Sequence, residues 1–256
     1  MGQIRVTDFD LKNTMDSGQY FAYSEKNGVF EIIHRSTRFT VAQEKDKLIY
    51  AGISEKELKN FFRLDEDHSK ILKELSKDKH LLKAIEYCRG LRLIRQDPWQ
   101  CTVGFICSQN SNIPRIKNNI QYMIDNFGND SFPGPKDIDT ENLREAKLGY
   151  REKYLKQVCN QVDDKFFESL RGLSYDQAKE KLLELPGVGP KVADCILLFS
   201  LDKLETFPVD VWVKRLMSEL YGVEDNVHDY ATKKFGANAG YAQQYLFHWR
   251  RNAKLK

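Results

Sequence analysis

The sequence has no long apolar run, no cysteines at CxxC spacing and little excess charge of either sign. Nothing approaches the roughly 18 consecutive apolar residues that a membrane-crossing helix needs. The opening MGQIRVTDFDLKNTMDSGQ lacks the apolar core of a secretory leader, so a soluble, cytoplasmic protein is expected. The five cysteines, Cys88, Cys101, Cys107, Cys159 and Cys195, are odd in number, which argues against a disulfide framework or a zinc knuckle and for a reduced setting. Lys and Arg number 40 against 37 Asp and Glu, for a net charge of +3 and a pI near 8.4. Any nucleic-acid footprint must therefore come from local placement of charge rather than bulk excess. Internal repeats and low-complexity linkers are also lacking.

What is present falls into two regions. From Gln19 to Gly52, QYFAYSE, GVFEIIHRS, RFTVAQE and KLIYAG alternate aromatic or β-branched residues with polar ones, the pattern of a small antiparallel sheet. Lys26-Asn27-Gly28 supplies the positive-φ turn chemistry of a hairpin between the first two strands. After Gly52 the period lengthens to about 3.6. Ser54 and Glu57 form a capping box opening a helix through Phe62, and only helices are expected from there to Lys256. Asp97-Pro98 starts one of them, Gly128 closes the next, SFPGPKDID is a loop, and Ser174 with Gln177 makes a second capping box. The chain thus reads as α+β, with an N-terminal antiparallel sheet domain with short helices over residues 1–80 and a helical region over 81–256.

The most informative stretch is LPGVGPKVADCILLFSLDKLETFPVDVWVKRL, residues 185–216, which reads as helix, tight turn, helix, loop, helix. Gly187 and Gly189 permit backbone conformations closed to other residues and let a ligand approach the main chain, while Pro190 pre-sets the first turn of the next helix. Such a turn suits a DNA phosphate, held by backbone N–H groups and the positive end of a helix dipole. An ordinary helical hairpin would carry the same turn. Lys191 sits one residue into that helix, where the dipole disfavours an ammonium. A neutral lysine is a nucleophile that forms Schiff bases with aldehydic carbons, and sugar C1′ becomes such a carbon when a glycosidic bond breaks. Asp210, after Phe207-Pro208-Val209, reads as the N-cap of an apolar helix. A carboxylate fixed there could also stabilise positive charge developing on a deoxyribose and take a proton from the lysine. Either residue alone has a bland reading, as a surface lysine or a simple cap. Bracketing one hairpin nineteen positions apart, they point to chemistry together.

With these residues in place, the chain resembles the helix-hairpin-helix glycosylases with a Gly/Pro-rich loop and an aspartate, and within them the eukaryotic-type 8-oxoguanine DNA glycosylases/lyases. The likeness spans nearly the whole chain, through FDLKNTMDSGQYFAY, GLRLIRQDPWQCTVGFICSQNSNIPRI, KLGYREKY, the hairpin and AGYAQQYLF. It implies that Lys191 and Asp210 are the catalytic pair on a hairpin of about 174–216, with Gly187, Gly189 and Lys191 offering backbone N–H groups to a DNA phosphate. It implies a lesion pocket in which the Gly18 carbonyl accepts the N7–H that 8-oxoguanine has and guanine lacks. Gln243 would read the Watson–Crick edge of the flipped base, with Phe247 and Cys195 covering its two faces. Asn110, Arg115 and Arg151 would contact the estranged cytosine, with Tyr150 as a wedge.

The resemblance implies further that the partner is double-stranded DNA containing 8-oxoguanine, bound by a monomer that in a prokaryote would associate with the nucleoid. No cofactor is required. With no cysteine after Cys195, the C-terminal four-cysteine iron-sulfur cluster of some related glycosylases cannot be built, whereas a structural monovalent or divalent cation could sit at the hairpin. The chain departs from the pattern at Trp212, where the family usually has a histidine two residues after the aspartate, and in trimmed loops in the N-terminal sheet and around residues 222–236. Two other functions share parts of the signal. A monofunctional glycosylase for alkylated bases has the hairpin and the aspartate but generally lacks the lysine. A non-enzymatic DNA-binding module needs only the hairpin.

Overall fold

The computed structural model describes residues 1–253. The expectation of helix up to Lys256 lies, for residues 254–256, outside the described residues. The sheet is antiparallel and five-stranded, in the order β1-β5-β4-β3-β2: β1 Gly2–Arg5, β2 Tyr23–Lys26, β3 Val29–His34, β4 Thr37–Glu44 and β5 Lys47–Ala51. Its period-two pattern puts Phe30, Ile32, Phe39, Val41, Leu48 and Tyr50 on one buried face, with Phe30 opposite Val41 and Ile32 opposite Phe39. The turn expected between β2 and β3 is present, with Asn27 and Gly28 both at positive φ (54° and 79°).

Two details differ from the sequence expectation. The edge strand β1, too short to show a period, pairs with β5 from Gly2↔Tyr50 to Arg5↔Lys47. The stretch Gln19–Ala22 is not strand. It turns inward, where the Gln19 amide donates to the Arg92 carbonyl (2.8 Å) and accepts from Ile94 N–H (2.7 Å), and the Tyr20 hydroxyl donates to the Ile33 carbonyl (2.6 Å). Its own carbonyls are paired outside a regular ladder, Gln19 accepting from the Gln96 side-chain amide (2.6 Å) and Ala22 from Ile33 N–H (3.0 Å).

The helices are α1 Leu11–Met15, α2 Glu55–Phe61, α3 His68–Leu75, α4 Lys79–Tyr87, α5 Pro98–Ser108, α6 Ile113–Phe127, α7 Arg151–Cys159, α8 Asp164–Arg171, α9 Tyr175–Leu183, α10 Pro190–Ser200, α11 Val211–Tyr221, α12 Val227–Phe235 and α13 Ala239–Asn252. Both capping boxes form, at Ser54/Glu57 and Ser174/Gln177. Helices α5 and α10 are buried on every side, over Pro98–Cys107 and Val192–Ser200, and are enclosed by their neighbours. They lie against each other through parallel Phe105 and Phe199 rings, 5.4 Å apart. This pairing positions the site, because Lys191 opens α10 and Ser108 closes α5.

Charged residues tie the sheet half to the helical half. Arg63, wholly buried, donates to Glu66 (2.6 Å) and Asp202 (2.5 Å), and Arg95 bridges Asp65, Glu66 and Asp202. A second buried group lies on the far side of α10, where Asp194 accepts from Lys179 (2.9 Å) and from the Tyr175 hydroxyl (2.8 Å). Among the described residues, no helix is long and apolar enough to cross a membrane.

Candidate active site

The hairpin turn is built around Gly187, at φ +77°, a conformation that costs an L-residue about 1–2 kcal/mol. A Cβ there would also fall 2.4 Å from the Tyr154 ring, and the Gly187 carbonyl is held by the Gln109 side-chain amide at 2.9 Å. Gly189 corrects the sequence expectation. Its φ of −88° and ψ of 178° are open to any residue, and a Cβ there would meet only open space. A glycine at that point bares the main chain beside the first N–H groups of α10, which have no intrahelical acceptor. The two positions should therefore separate. Gly187→Ala is expected to lower the unfolding free energy by more than the about 1–2 kcal/mol of its positive φ, since the clash with Tyr154 adds to it. Gly189→Ala should melt like the parent yet bind duplex DNA more weakly. Thermal unfolding and a DNA titration check both, and a Gly189→Ala protein of unchanged affinity would remove the phosphate role.

Lys191 and Asp210 open onto one cavity of about 440 Å³, together with Gly18, Phe21, Trp212 and Phe247. That size suits a small-molecule or single-base site. A larger groove of about 1320 Å³ beside α2 is lined by His34, Arg35, Ser54, Glu57 and their neighbours, and holds neither Lys191 nor Asp210. Asp210 is the N-cap of α11 and accepts from Val213 N–H at 2.8 Å, so its carboxylate is fixed by the helix it starts. The Lys191 ammonium makes a long bond to Ser108 Oγ (3.4 Å) and lies 4.8 Å over the Phe105 ring. Among the described residues it forms no ion pair, so no carboxylate ties its nitrogen away from the cavity. Phe105 and Ser108 went unread in the sequence. Their only signal was their place on the last turn of the apolar helix α5.

Gly18 belongs to a segment pinned from both sides. Gln244 donates to the Ser17 carbonyl (3.0 Å), Ser17 Oγ accepts from Gln19 (2.8 Å), and Arg251 donates to the Asp16 carbonyl. Gly18 itself is at φ +83°. Phe247 lies on the cavity wall. Cys195 and Gln243 are buried outside the cavity lining. Burial pushes the Cys195 thiol up to about 12, with the Lys191 charge opposing the shift. The Gln243 side-chain oxygen is buried without a hydrogen-bond partner, a cost that a ligand donor would relieve.

The four residues expected at the estranged base do gather. Asn110 has a left-handed backbone (φ +46°) and donates to the exposed Tyr150 hydroxyl at 3.0 Å. Arg115 is exposed, with one bond to the Lys147 carbonyl (3.2 Å). Arg151 differs. It is buried and donates to the carbonyls of Gln109 (2.6 Å), Leu148 (2.6 Å) and Asn110 (3.0 Å), so here its fork holds the loop that carries Asn110. Trp212 stands exposed at the cavity mouth, with the Arg215 guanidinium 5.8 Å from its ring.

A helix-hairpin-helix with a lysine and an aspartate on one base-sized cavity defines a base-excision fold, and comparison with known proteins agrees. Residues 3–102 match the family described as 8-oxoguanine DNA glycosylase, N-terminal domain, and residues 103–238 match the HhH-GPD superfamily base excision DNA repair proteins. The chain belongs to the HhH-GPD superfamily, in its 8-oxoguanine DNA glycosylase branch. It is 30% identical to a probable N-glycosylase/DNA lyase of Methanothermobacter thermautotrophicus, over 99% of this chain and 97% of that one. The Clostridium acetobutylicum 8-oxoguanine glycosylase/lyase, solved with double-stranded DNA containing cytosine opposite 8-oxoG, superposes with a TM-score of 0.87 at 31% identity, over 100% and 99% of the two chains. The 3-methyladenine DNA glycosylase of Archaeoglobus fulgidus, at 19% identity and a TM-score of 0.82 over the whole of both chains, shares the fold alone.

Proposed function

We propose that the chain is a bifunctional DNA glycosylase and lyase that excises 8-oxoguanine, preferentially opposite cytosine, from double-stranded DNA in the cytoplasm. The observation that carries it is the opening of Lys191 and Asp210 onto one cavity with Gly18 and Phe247. The flipped base stacks on Phe247, which recovers part of the stacking lost on leaving the duplex. The Gly18 carbonyl takes its N7–H. The Lys191 amine attacks C1′, the bond from C1′ to the base breaks, and its electron pair leaves with the base. Asp210 stabilises positive charge developing on the sugar and takes the lysine proton, which then passes to the departing base. The C1′–O4′ bond then opens, its electron pair and a proton going to O4′, and the Schiff base left between Lys191 and C1′ makes the C2′ proton acidic, so that its loss expels the 3′ phosphate and nicks the strand. No step asks for a cofactor. A monofunctional alkylbase enzyme would leave Lys191 without a task.

The test is excision from duplexes carrying 8-oxoguanine opposite each of the four bases, read with and without alkali. Nicking without alkali and a preference for cytosine are expected. A flat profile would show that Arg115 and Asn110, on the loop that Arg151 holds, do not read the partner base, and absence of excision would sink the function.

A further inference from the structure

Two arginines that line the lesion cavity have no part in this scheme, and of these Arg250 is paired with Glu219 (2.9 Å). Arg251 lines the cavity with Lys191, Asp210, Gly18 and Phe247. It follows Gln243 and Phe247 on α13 at i, i+4 and i+8, so the three side chains form one stripe along the helix. Its guanidinium carbon lies 5.5 Å from the centre of the Phe247 ring. One terminal nitrogen is tied to the Asp16 carbonyl, and the other lies 2.5 Å from where a Cβ on Gly18 would be. Among the described residues Arg251 forms no ion pair, because Asp16 spends its carboxylate on Lys12 and Tyr23. Gly18 therefore has an anchored guanidinium packed against its α-carbon, with further N–H groups to donate.

We propose that Arg251 is a specificity-determining residue of the lesion pocket, donating a hydrogen bond to a base carbonyl oxygen that flanks the N7–H accepted by Gly18. This rests on the 8-oxoguanine reading above. The chemistry of the edge supports it. In 8-oxoguanine N7–H is flanked by two acceptors, O6 and O8, so a pocket matching that edge needs a donor beside its acceptor. An arginine fork held at one end by a main-chain carbonyl is such a donor, and it is already oriented before the base arrives.

Single-turnover excision by Arg251→Met and Arg251→Lys tests the proposal on four duplexes. These carry 8-oxoguanine, 8-oxoadenine (no oxygen at C6), 8-thioguanine (a weaker acceptor at C8) and an abasic site. Arg251→Met should slow 8-oxoguanine excision roughly 10- to 100-fold, the loss of one charge-assisted bond. Arg251→Lys should recover part of that, and nicking at the abasic site, which has no base to read, should stay unchanged. The methionine penalty should shrink on 8-oxoadenine if the contact is to O6, or on 8-thioguanine if it is to O8, which makes each comparison a double-mutant cycle across the interface. Equal penalties on all three bases would mean that Arg251 only steadies the Gly18 segment, and would overturn the proposal. So would unchanged excision of 8-oxoguanine, or parallel loss at the abasic site. If the parent protein fails to excise 8-oxoguanine at all, the function reading fails first, independently of Arg251.

Discussion

Lys191→Gln should leave a folded, DNA-binding protein that no longer forms a borohydride-trappable complex with 8-oxoguanine DNA. The covalent route needs an amine, and an amide cannot form the imine, so nicking through the Schiff base should fall by at least about 10³-fold, which corresponds to about 4 kcal/mol of barrier. The structure explains why folding should survive. The Lys191 ammonium has one long bond to Ser108 and the face of Phe105, and no ion pair among the described residues. Giving up a contact of that kind costs about 0.5–2 kcal/mol. Trapping on 8-oxoguanine duplex, followed by gel separation, reads the chemistry, and thermal unfolding reads the fold. Trapping that persists in the variant would move the nucleophile elsewhere.

Asp210→Asn should separate two roles that one side chain combines. Asparagine caps a helix about as well as aspartate, so the bond to Val213 N–H survives and the melting temperature should barely change. The loss of charge falls on the reaction, where excision should slow by about 10²- to 10⁴-fold. Duplex affinity should hold or improve, since a negative charge facing phosphates is removed. Asp210→Ala, by contrast, should lose the rate and also about 0.5–2 kcal/mol of stability. Equilibrium binding, single-turnover excision and calorimetry together decide it. An asparagine variant that excises within about threefold of the parent would reduce Asp210 to a cap.

Much of this was legible in the sequence because local rules governed it. The capping boxes at Ser54 and Ser174, the Asn27-Gly28 turn and the Asp97-Pro98 start each depend on neighbours within four residues, and all form as read. The hairpin belongs with them, and Lys191 and Asp210 could be proposed from the chemistry of their positions alone. What the sequence hid depends on distant partners. Gln19–Ala22 alternates like a strand, but Arg92 and Ile94 claim its polar groups. The sequence shows Arg151 as a cation available for a base, and only the fold shows its donors spent on three carbonyls. Arg251 gains meaning only beside Gly18, and no local pattern links the two. Gly189 errs in the other direction, since the turn rule assigned it a conformational demand that its extended backbone does not make.

The tie between Gly18 and α13 also bears on the order in which the molecule can be made. The bond from Gln244 to the Ser17 carbonyl spans 227 positions, and that from Arg251 to the Asp16 carbonyl spans 235. A ribosome adding residues one by one delivers the sheet, the hairpin and its lysine well before it delivers the last wall of the cavity. Contacts of such separation form late and slowly. A nascent chain that already displays its phosphate-binding turn and its lysine therefore cannot yet select a damaged base, because that choice waits for α13 to close against the Gly18 segment.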